Sequence, residues 1–298
     1  MTINQFVTRA RNYTFFHAVY AGVFNGMSDE DYLKMMFRRS LGYELDLSAP
    51  KTFNEKMQWL KLYHRRPEFT DMVDKLEAKR IAARTMGTEH VIPTLAVWDR
   101  VEDIDLSVLP EQFVLKTTHD CGGVVICRNK AELDLEAVKQ TLGKHMKLNY
   151  YITNREWPYK NVKPRIIAEE LMVDGDNEVL PVYKVFCFGG KPHLIQAIVN
   201  DKQRDEAIDY FDTDWNKLDL RQNFPNSDRP LPRPEKLDEM LALAAEASEG
   251  FSFLRVDFYV VNGKVYFSEF TFYSDAGTAA FTPSEWDRRL GDLIALPA

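Results

Sequence analysis

Cysteine is scarce in this 298-residue sequence, where only Cys121, Cys127 and Cys187 occur. Three scattered cysteines cannot form a complete set of disulfides, so the sequence does not predict a disulfide-stabilised secreted domain. A reducing compartment suits such a composition better. We therefore expect a cytoplasmic protein.

Long hydrophobic runs are also absent, and neither a membrane-spanning helix nor a cleavable leader is expected. The most apolar candidate is the segment of residues 1–27, whose apolar face is interrupted by Arg9, Arg11 and His17. We interpret this segment as a helix that docks on the rest of the protein. Contact with a partner or with a membrane surface is the alternative.

Positive charge is not in excess, because 38 Lys and Arg residues face 45 Asp and Glu residues and give a net charge of −7. This balance argues against a general nucleic-acid-binding protein, although a local cationic pocket remains compatible with it. The hydrophobic fraction of 45% and the charged fraction of 28% are those of a globular protein. A chain of this length forms one large core or two to three lobes.

Apolar residues at helical spacing predict helices, and alternating β-branched and aromatic residues predict strands. The predicted helices lie at residues 29–40, 52–62, 71–86, 133–150 and 234–250. The predicted strands lie at residues 90–98, 113–117, 124–127 and 166–168, in a hairpin turned by Gly189-Gly190, and in a last hairpin within residues 253–277. This order indicates an α+β fold, with helices first and two mixed lobes after them.

A loop rich in glycine and hydroxyl groups, residues 117–123, joins the predicted strands 113–117 and 124–127. Glycine lets a backbone approach a ligand closely, and successive N–H groups in such a loop can bind an anion. Lys116, at the end of the first strand, could reach a phosphate. The alternative is an ordinary hairpin with a surface lysine.

The last hairpin contains two acidic residues on neighbouring strands. Its turn is Asn262-Gly263, a strong hairpin signal, and counting outward places Asp257 nearly opposite Ser268 and Glu269. Like charges that face each other across a ladder destabilise it unless a cation lies between them. Mg²⁺ commonly binds one or two carboxylates together with substrate phosphates. The sequence thus allows either a magnesium site or two solvated strand acids.

Six segments of the chain together resemble the TupA-like group of ATP-grasp ligases, which is named for teichuronopeptide biosynthesis. They are FNEKMQWLKL, VDKLEAKR, FVLKTTHDCGG, KPRIIAEE, YKVFCFGGKP and RVDFYVVNGKVYFSEFTFYSDAG. The resemblance extends from about residue 29 to the C-terminus. It implies an ATP-grasp fold in which two α+β lobes grip a nucleotide. The implied domains are an N-terminal helical segment (1–70), a first lobe with a phosphate loop (71–168) and a C-terminal lobe with a magnesium site (169–298).

The same resemblance implies ATP and Mg²⁺ as cofactors and assigns roles to matching residues. The nucleotide-binding set is Lys75, Lys116, Thr117, Gly122, Gly123, Glu169, Glu170, Leu171 and Lys184. The metal ligands are Asp257, Glu269 and Thr271, and the catalytic residues are Arg255, Lys116 and His119. Thr271 stands where most ATP-grasp enzymes have Asn, and a hydroxyl is a weaker ligand than an amide oxygen, so the number of magnesium ions stays open. For His119, the alternative is a hydrogen-bonding role within the loop.

The activity implied is ligation of a carboxylate to an amine through an acylphosphate, with ADP released. The implied substrates are small-molecule carboxylates and amines, with a uronic-acid glycan unit or a nucleotide sugar as a candidate in cell-surface polysaccharide biosynthesis. One rival is a metal-dependent glycosyltransferase that would use Asp212-Thr213-Asp214, a short Asp-x-Asp pattern that also fits a turn. A second rival is a nucleotide-binding protein without catalysis.

Overall fold

The structure is a computed structural model that describes residues 14–175, 180–199 and 206–297. Within these residues it contains two separate antiparallel sheets together with helices, which confirms the predicted α+β class. The α-helices are α1 (Asp29–Leu41), α2 (Phe53–Tyr63), α3 (Glu68–Val73), α4 (Lys75–Thr85), α5 (Leu135–His145), α6 (Tyr151–Asn154), α7 (Leu237–Ala247) and α8 (Glu285–Asp292).

The first sheet has four strands in the order β1-β4-β2-β3. These strands are β1 (Thr94–Trp98), β2 (Phe113–Thr117), β3 (Val124–Cys127) and β4 (Ile166–Glu170). One face of the sheet packs on α5, whose buried Val138 and Leu142 contact a core that includes Phe113, Leu115 and Ile166. The opposite face carries Lys116 and Glu169, because side chains alternate along a strand.

The second sheet has five strands in the order β7-β6-β5-β8-β9. These strands are β5 (Val182–Phe188), β6 (Lys191–Val199), β7 (Ala207–Phe211), β8 (Phe253–Val261) and β9 (Lys264–Thr271). Both predicted hairpin turns are confirmed, at Gly189-Gly190 and at Asn262-Gly263, and all four turn residues have positive φ. That backbone conformation is accessible to glycine and tolerated by asparagine, which explains the sequence of both turns.

The largest core lies between the second sheet and helices from both ends of the chain. Buried side chains of α2, α4 and α7 pack there, among them Phe53, Met57, Ala82 and Met240. The helix that the resemblance places at the start of the first lobe, α4, therefore shares its core with the second sheet. The domain limits at residues 70 and 168 stay a prediction.

Several predicted element limits were wrong. The helix expected at 71–86 is two helices, α3 and α4, because Asp74 leaves the helical conformation and its carboxylate accepts a hydrogen bond from Leu76 N at 2.9 Å. The strand expected from residue 90 begins at Thr94, after a 3₁₀ turn at Thr88–His90. The helices expected at 133–150 and 234–250 are shorter. Thr52 and Glu55 form a capping box at the start of α2.

The predicted N-terminal docking helix lies partly outside the described residues, which begin at 14. Residues 14–20 are helical, and Val19 is buried against a cluster that contains Tyr32 and Met36 of α1. Docking of this segment on the protein is thus confirmed for its described part. Among the described helices, none combines the length and the apolar character that crossing a bilayer requires.

Candidate active site

Three charged side chains lie side by side across neighbouring strands of the second sheet. Lys184 on β5 pairs with Asp257 on β8, and Asp257 pairs with Glu269 on β9. A register shift next to Asp257 places Glu269, rather than Ser268, directly opposite it. The pairing predicted from the sequence agrees with this arrangement to within one residue.

Arg255 and Asp257 form a buried, bidentate ion pair on β8. Arg255 Nε and Nη2 donate to the two oxygens of Asp257 at 2.7 and 2.8 Å, and Lys184 Nζ lies 3.2 Å from Asp257 Oδ2. Burial alone would raise the pKa of Asp257, but Arg255 and then Lys184 outweigh it and lower that pKa. Asp257 is therefore a carboxylate whose negative charge is already shared by two cations.

Glu269 differs from Asp257 in its exposure. Its side chain is 40% exposed, and its contact with a cation is the 3.4 Å approach of Arg255 Nη2 to Oε1. Thr271 lies opposite Arg255 on the same pair of strands. Glu269 thus keeps lone pairs that face solvent, in the position nearest to Asp257.

The carboxylates of this hairpin fit Mg²⁺ in number and in chemistry. Mg²⁺ commonly takes one or two carboxylates and completes its octahedron with water and substrate phosphates. Within the described residues, no group of three or more His, Cys, Asp and Glu side chains could hold a metal by itself. A magnesium ion at Asp257 and Glu269 would therefore need ligands from a substrate.

A second cluster of charges lies on the face of the first sheet that is opposite to α5. Lys116 on β2 and Lys79 on α4 both contact the buried carboxylate of Glu169 on β4, at 2.6 and 2.7 Å. Burial would raise the pKa of Glu169, but the two ammonium groups outweigh it and hold that pKa at about 2. Lys79 was missed in the sequence, because its place on α4 gives no sign of contact with a strand ninety residues away.

Lys116 is also within electrostatic range of the second sheet. Burial lowers the pKa of Lys116, but Glu169, followed by Tyr259 and Glu269 from the second sheet, outweighs burial and raises it.

The glycine-rich loop folds back tightly on the end of β2. A Cβ on Gly123 would lie 2.0 Å from Thr117 Oγ1, and a Cβ on Gly122 would lie 2.7 Å from His145 Cε1, so both positions require glycine. Asp120 holds the loop from inside, since its carboxylate binds Thr117 Oγ1 and His145 Nδ1. The two glycines and Asp120 thus determine the conformation of the loop.

Lys75 and His119 attach this loop to its neighbours. The Lys75 ammonium group donates to the carbonyl of Asp120, and Lys75 N donates to Thr118 O at 2.9 Å. His119 Nε2 lies 3.1 Å from the carbonyl oxygens of His145 and Leu148. Burial lowers the pKa of His119, and its buried Nδ1 has no hydrogen-bond partner among the residues that the structure describes. These contacts fit the loop-holding alternative for His119, whose catalytic role stays a prediction.

Glu169, Glu170 and Leu171, which the resemblance assigns to nucleotide binding, differ in accessibility. Glu169 is buried and engaged by two lysines, whereas Glu170 at the end of β4 is exposed and Leu171 is half-buried. Glu170 N donates to Pro93 O at 3.2 Å. Of the two carboxylates, Glu170 is the one with a solvent-facing side chain, and its contact with a nucleotide stays a prediction.

The loop after β9, Ser274–Gly277, was missed in the sequence as a structural centre of the site. Asp275, Ala276 and Gly277 have φ values of 48°, 54° and 58°, a run of left-handed residues that costs conformational energy outside glycine. Two buried side chains of α2 hold the loop. Lys61 Nζ donates to Ala276 O at 2.8 Å, and Gln58 Nε2 donates to Gly277 O at 2.6 Å.

This loop in turn touches the charged hairpin. Ser274 Oγ accepts a hydrogen bond from Arg255 Nη1 at 3.0 Å. Gln58 and Lys61 belong to FNEKMQWLKL, one of the segments that carry the family resemblance. This segment therefore supports Arg255 indirectly, by holding the loop that contains Ser274. The helical spacing of this segment predicted α2, but it did not predict that Gln58 and Lys61 bind the loop after β9.

The Asp-x-Asp pattern occupies a turn. Asp212 accepts hydrogen bonds from the backbone N of Asp214 and Asn216 at 3.0 and 2.8 Å, and from Asn216 Nδ2 at 3.0 Å. Its carboxylate therefore holds the chain reversal after β7. This geometry explains the motif as a turn and gives the glycosyltransferase alternative no support.

Comparison with known proteins was made for the sequence and for the structure. The TupA-like ATPgrasp family model matches residues 55–295, whereas no curated protein sequence matches the chain significantly. Among solved structures, the D-alanine–D-alanine ligase from Bacillus anthracis complexed with ATP is similar at 16% identity and a TM-score of 0.38, over 79% of this chain and 60% of that chain. The D-cycloserine synthetase DcsG is similar at 15% identity and a TM-score of 0.42, over 75% of this chain and 69% of that chain.

A third similar structure is the ATP-grasp ligase PsnB complexed with minimal precursor, at 11% identity and a TM-score of 0.43, over 80% of this chain and 66% of that chain. The chain spans about 60% of the length of the D-alanine–D-alanine ligase that is complexed with ATP. The family model, by contrast, covers well over half of this chain and includes α2, both sheets and the loop after β9. The protein belongs to the TupA-like ATP-grasp family.

Proposed function

We propose that the protein is an ATP-dependent ligase that joins a carboxylate to an amine and releases ADP. The observation that carries this proposal is the row formed by Lys184, Asp257 and the partly exposed Glu269 on three neighbouring strands. A lysine suits a phosphate, and an exposed carboxylate suits a phosphate-bound magnesium ion. A site that offers both at one place fits a nucleoside triphosphate better than a neutral ligand.

Magnesium would be held by Glu269 and by Asp257, with the Thr271 hydroxyl as the weaker third candidate. When bound, the ion would neutralise charge on the phosphates and act as a Lewis acid. Asp257 would share its charge between the metal and the cations Arg255 and Lys184, which lie 2.7 and 3.2 Å from it. The number of magnesium ions depends on how many lone pairs of the Asp257 carboxylate are not occupied by Arg255 and Lys184.

The side chains of the chain itself supply positive charge rather than a nucleophile. Phosphoryl transfer is accelerated mainly by positioning and by charge neutralisation, and it needs no covalent protein intermediate. Lys116 and Lys75 would contact the phosphates under the loop of residues 117–123. Arg255, held rigidly by Asp257 and Ser274, would stabilise the oxygen that gains charge when the carboxylate attacks the γ-phosphate.

The family resemblance extends the proposal to the kind of carboxylate. A uronic acid or another carboxylated glycan unit would be the acyl donor, and an amino acid or another amine would be the acceptor. This substrate class rests on the resemblance of the six segments named above. Cell-surface polysaccharide biosynthesis is the pathway in which such a product would be used.

A coupled assay of ADP release tests the proposal. The purified protein is supplied with Mg²⁺ and ATP, and sugar acids and amines are screened in pairs. We expect ADP release that depends on a carboxylate and an amide product that also requires the amine. Omission of either substrate is the control. Turnover of a UDP-sugar without any dependence on ATP would refute the ligase.

A further inference from the structure

Asp275, in the loop Ser274–Gly277 after β9, carries an exposed carboxylate that none of the functions assigned above uses. One of its oxygens accepts a hydrogen bond from Asn223 Nδ2 at 2.7 Å, and the other accepts one from Ser274 Oγ at 3.2 Å. Both donors are uncharged groups, so they orient the carboxylate without neutralising it. Each carboxylate oxygen has two lone pairs and can therefore still accept a hydrogen bond from a ligand.

The backbone at both ends of the Asn223–Asp275 contact is in a left-handed conformation. Asp275 has φ 48°, and Asn223, which is also exposed, has φ 51°. Residues other than glycine persist in this conformation only where their surroundings impose it, and such residues concentrate at functional sites. The fold therefore maintains two strained residues whose side chains bind each other at the surface.

The segment that contains Asn223 is fastened to the segment that follows Asp275. Arg221 and Thr282 exchange backbone hydrogen bonds of 2.8 and 2.9 Å. The buried Gln222 donates from Nε2 to the carbonyl oxygen of Ala279 at 3.1 Å. Helix α2 holds the same loop at the carbonyl oxygens described above. The exposed pair thus has a rigid support, which lowers the entropic cost of binding a ligand there.

A single serine hydroxyl separates the Asp275 carboxylate from Arg255. Arg255 Nη1 donates to Ser274 Oγ at 3.0 Å, and Ser274 Oγ donates to Asp275 Oδ2 at 3.2 Å. Arg255 is buried and bound to Asp257, whereas Asp275 faces solvent. An exposed carboxylate therefore lies next to the guanidinium that is proposed above to stabilise the reacting oxygen.

The chemistry of this position favours an ammonium group over a metal ion. Among the residues that the structure describes, no three His, Cys, Asp and Glu side chains converge on a possible metal position, so Asp275 does not join Asp257 and Glu269 in one. An ammonium group has three donor protons and no acceptor. Asp275 supplies a carboxylate for it, and Asn223, whose Nδ2 donates to Asp275, supplies its amide oxygen as a second acceptor.

We propose that Asp275, together with Asn223, binds the ammonium group of the amine substrate beside Arg255. This inference rests on the proposed ligase function and adds the site of the second substrate, a primary amine that is recognised in its protonated form. A hydrogen bond between two charged groups is stronger than one between neutral groups, so the site distinguishes a cationic amine from an uncharged nucleophile.

The Asp275→Asn variant tests the charge of this side chain at constant shape. An asparagine can still accept a hydrogen bond from Asn223 and bind Ser274, so the loop is expected to keep its conformation. The assay contains Mg²⁺, ATP and the sugar acid that releases ADP fastest, with glycinamide or hydroxylamine as nucleophile. At pH 7 glycinamide is largely protonated, whereas hydroxylamine is uncharged. We expect KM for glycinamide to rise roughly 10- to 100-fold, and KM for hydroxylamine and kcat to stay near the wild-type values.

Asp214→Asn, the same change at an exposed carboxylate in the turn after β7, is the matched control and is expected to match the wild type. Asn223→Gly keeps the left-handed backbone accessible and removes the side chain. It is expected to give a smaller rise in KM for glycinamide, which provides a test if Asp275→Asn does not fold.

Three results would overturn the inference. They are an unchanged KM for glycinamide in Asp275→Asn, an equal rise in KM for both nucleophiles, and a rise in the Mg²⁺ requirement instead, which would make Asp275 a metal ligand. If the wild type forms hydroxamate but no amide with glycinamide, the amine site fails while the ligase proposal stands. If the wild type forms no hydroxamate with any carboxylate, the proposed ligase function itself fails.

Discussion

Asp257 and Glu269 lie directly opposite each other on β8 and β9, yet their surroundings differ sharply. The side chain of Asp257 is 1% exposed and bound by Arg255 and Lys184, whereas that of Glu269 is 40% exposed. Opposed like charges normally destabilise a ladder, and here Arg255 contacts both of them. The pair therefore has one carboxylate that fixes the cations and one that faces solvent.

Glu269→Gln tests the outward carboxylate. Because this side chain is solvent-facing and its cation contact is long, the variant should fold with nearly unchanged stability. Loss of the metal ligand should lower ADP release about 100-fold and raise the Mg²⁺ concentration needed for half-maximal rate. Titration of Mg²⁺ in the ADP-release assay measures both quantities.

The control for this change is Asp212→Asn, which removes a carboxylate that holds a turn after β7. We expect this variant to keep the wild-type response to Mg²⁺. If Asp212→Asn abolished turnover and Glu269→Gln did not, the metal would have to be assigned to the Asp-x-Asp turn.

Lys116→Met and Lys79→Met form a matched pair, since each removes one of the two lysines that bind Glu169. Only Lys116 is also affected by Glu269 of the second sheet. We expect Lys116→Met to lower ADP release about 100-fold and Lys79→Met to act mainly on stability. Kinetics and urea unfolding of both variants measure the difference. Equal kinetic losses would show that Lys116 acts only through Glu169.

The pH dependence of stability reports the ion pairs of Glu169. Its pKa of about 2 in the folded protein lies below its ordinary value of 4.5, so folding favours the ionised form. This contribution of about 3 kcal/mol is complete above pH 4.5 and is lost as the pH falls toward 2. Urea unfolding of the wild type and Glu169→Gln should therefore give free energies that converge in this interval. A difference that stayed constant down to pH 2 would contradict the assignment.

Lys61→Met tests the support of the loop Ser274–Gly277. The change removes the lysine donor from Asn154 O and Gln58 Oε1 and leaves Ala276 O with Gln58 Nε2 as its donor, which we expect to lower the free energy of unfolding by about 2 kcal/mol. ADP release should fall as well, because the loop carries Ser274, a partner of Arg255. Unfolding and kinetic measurements on one preparation give both values. Full activity in a destabilised variant would show that the loop does not position Arg255.

The last hairpin could be predicted almost to the residue. Its alternating strands and its Asn-Gly turn are local features, and the two-residue turn determines the pairing from Val261 and Lys264 as far as the register shift next to Asp257. The strands 113–117 and 124–127 were also predicted with the observed limits. The resemblance then named residues that the structure brings together, such as Lys184 and Asp257.

The supporting contacts could not be predicted, because each joins segments that are far apart in sequence. Lys79 and Glu169 are separated by ninety residues, and Lys61 reaches Ala276 across more than two hundred. Helical periodicity shows which face of α2 is apolar, but not which distant carbonyl a buried lysine will bind.

Calorimetric titration with Mg²⁺-ATP tests directly whether the protein binds a nucleotide, since it needs no knowledge of the carboxylate or the amine. We expect saturable binding of one nucleotide per chain in the wild type. We also expect binding to be weaker in Lys116→Met and to depend less on Mg²⁺ in Glu269→Gln. Absence of any heat of binding in the folded wild-type protein would contradict the proposed nucleotide site.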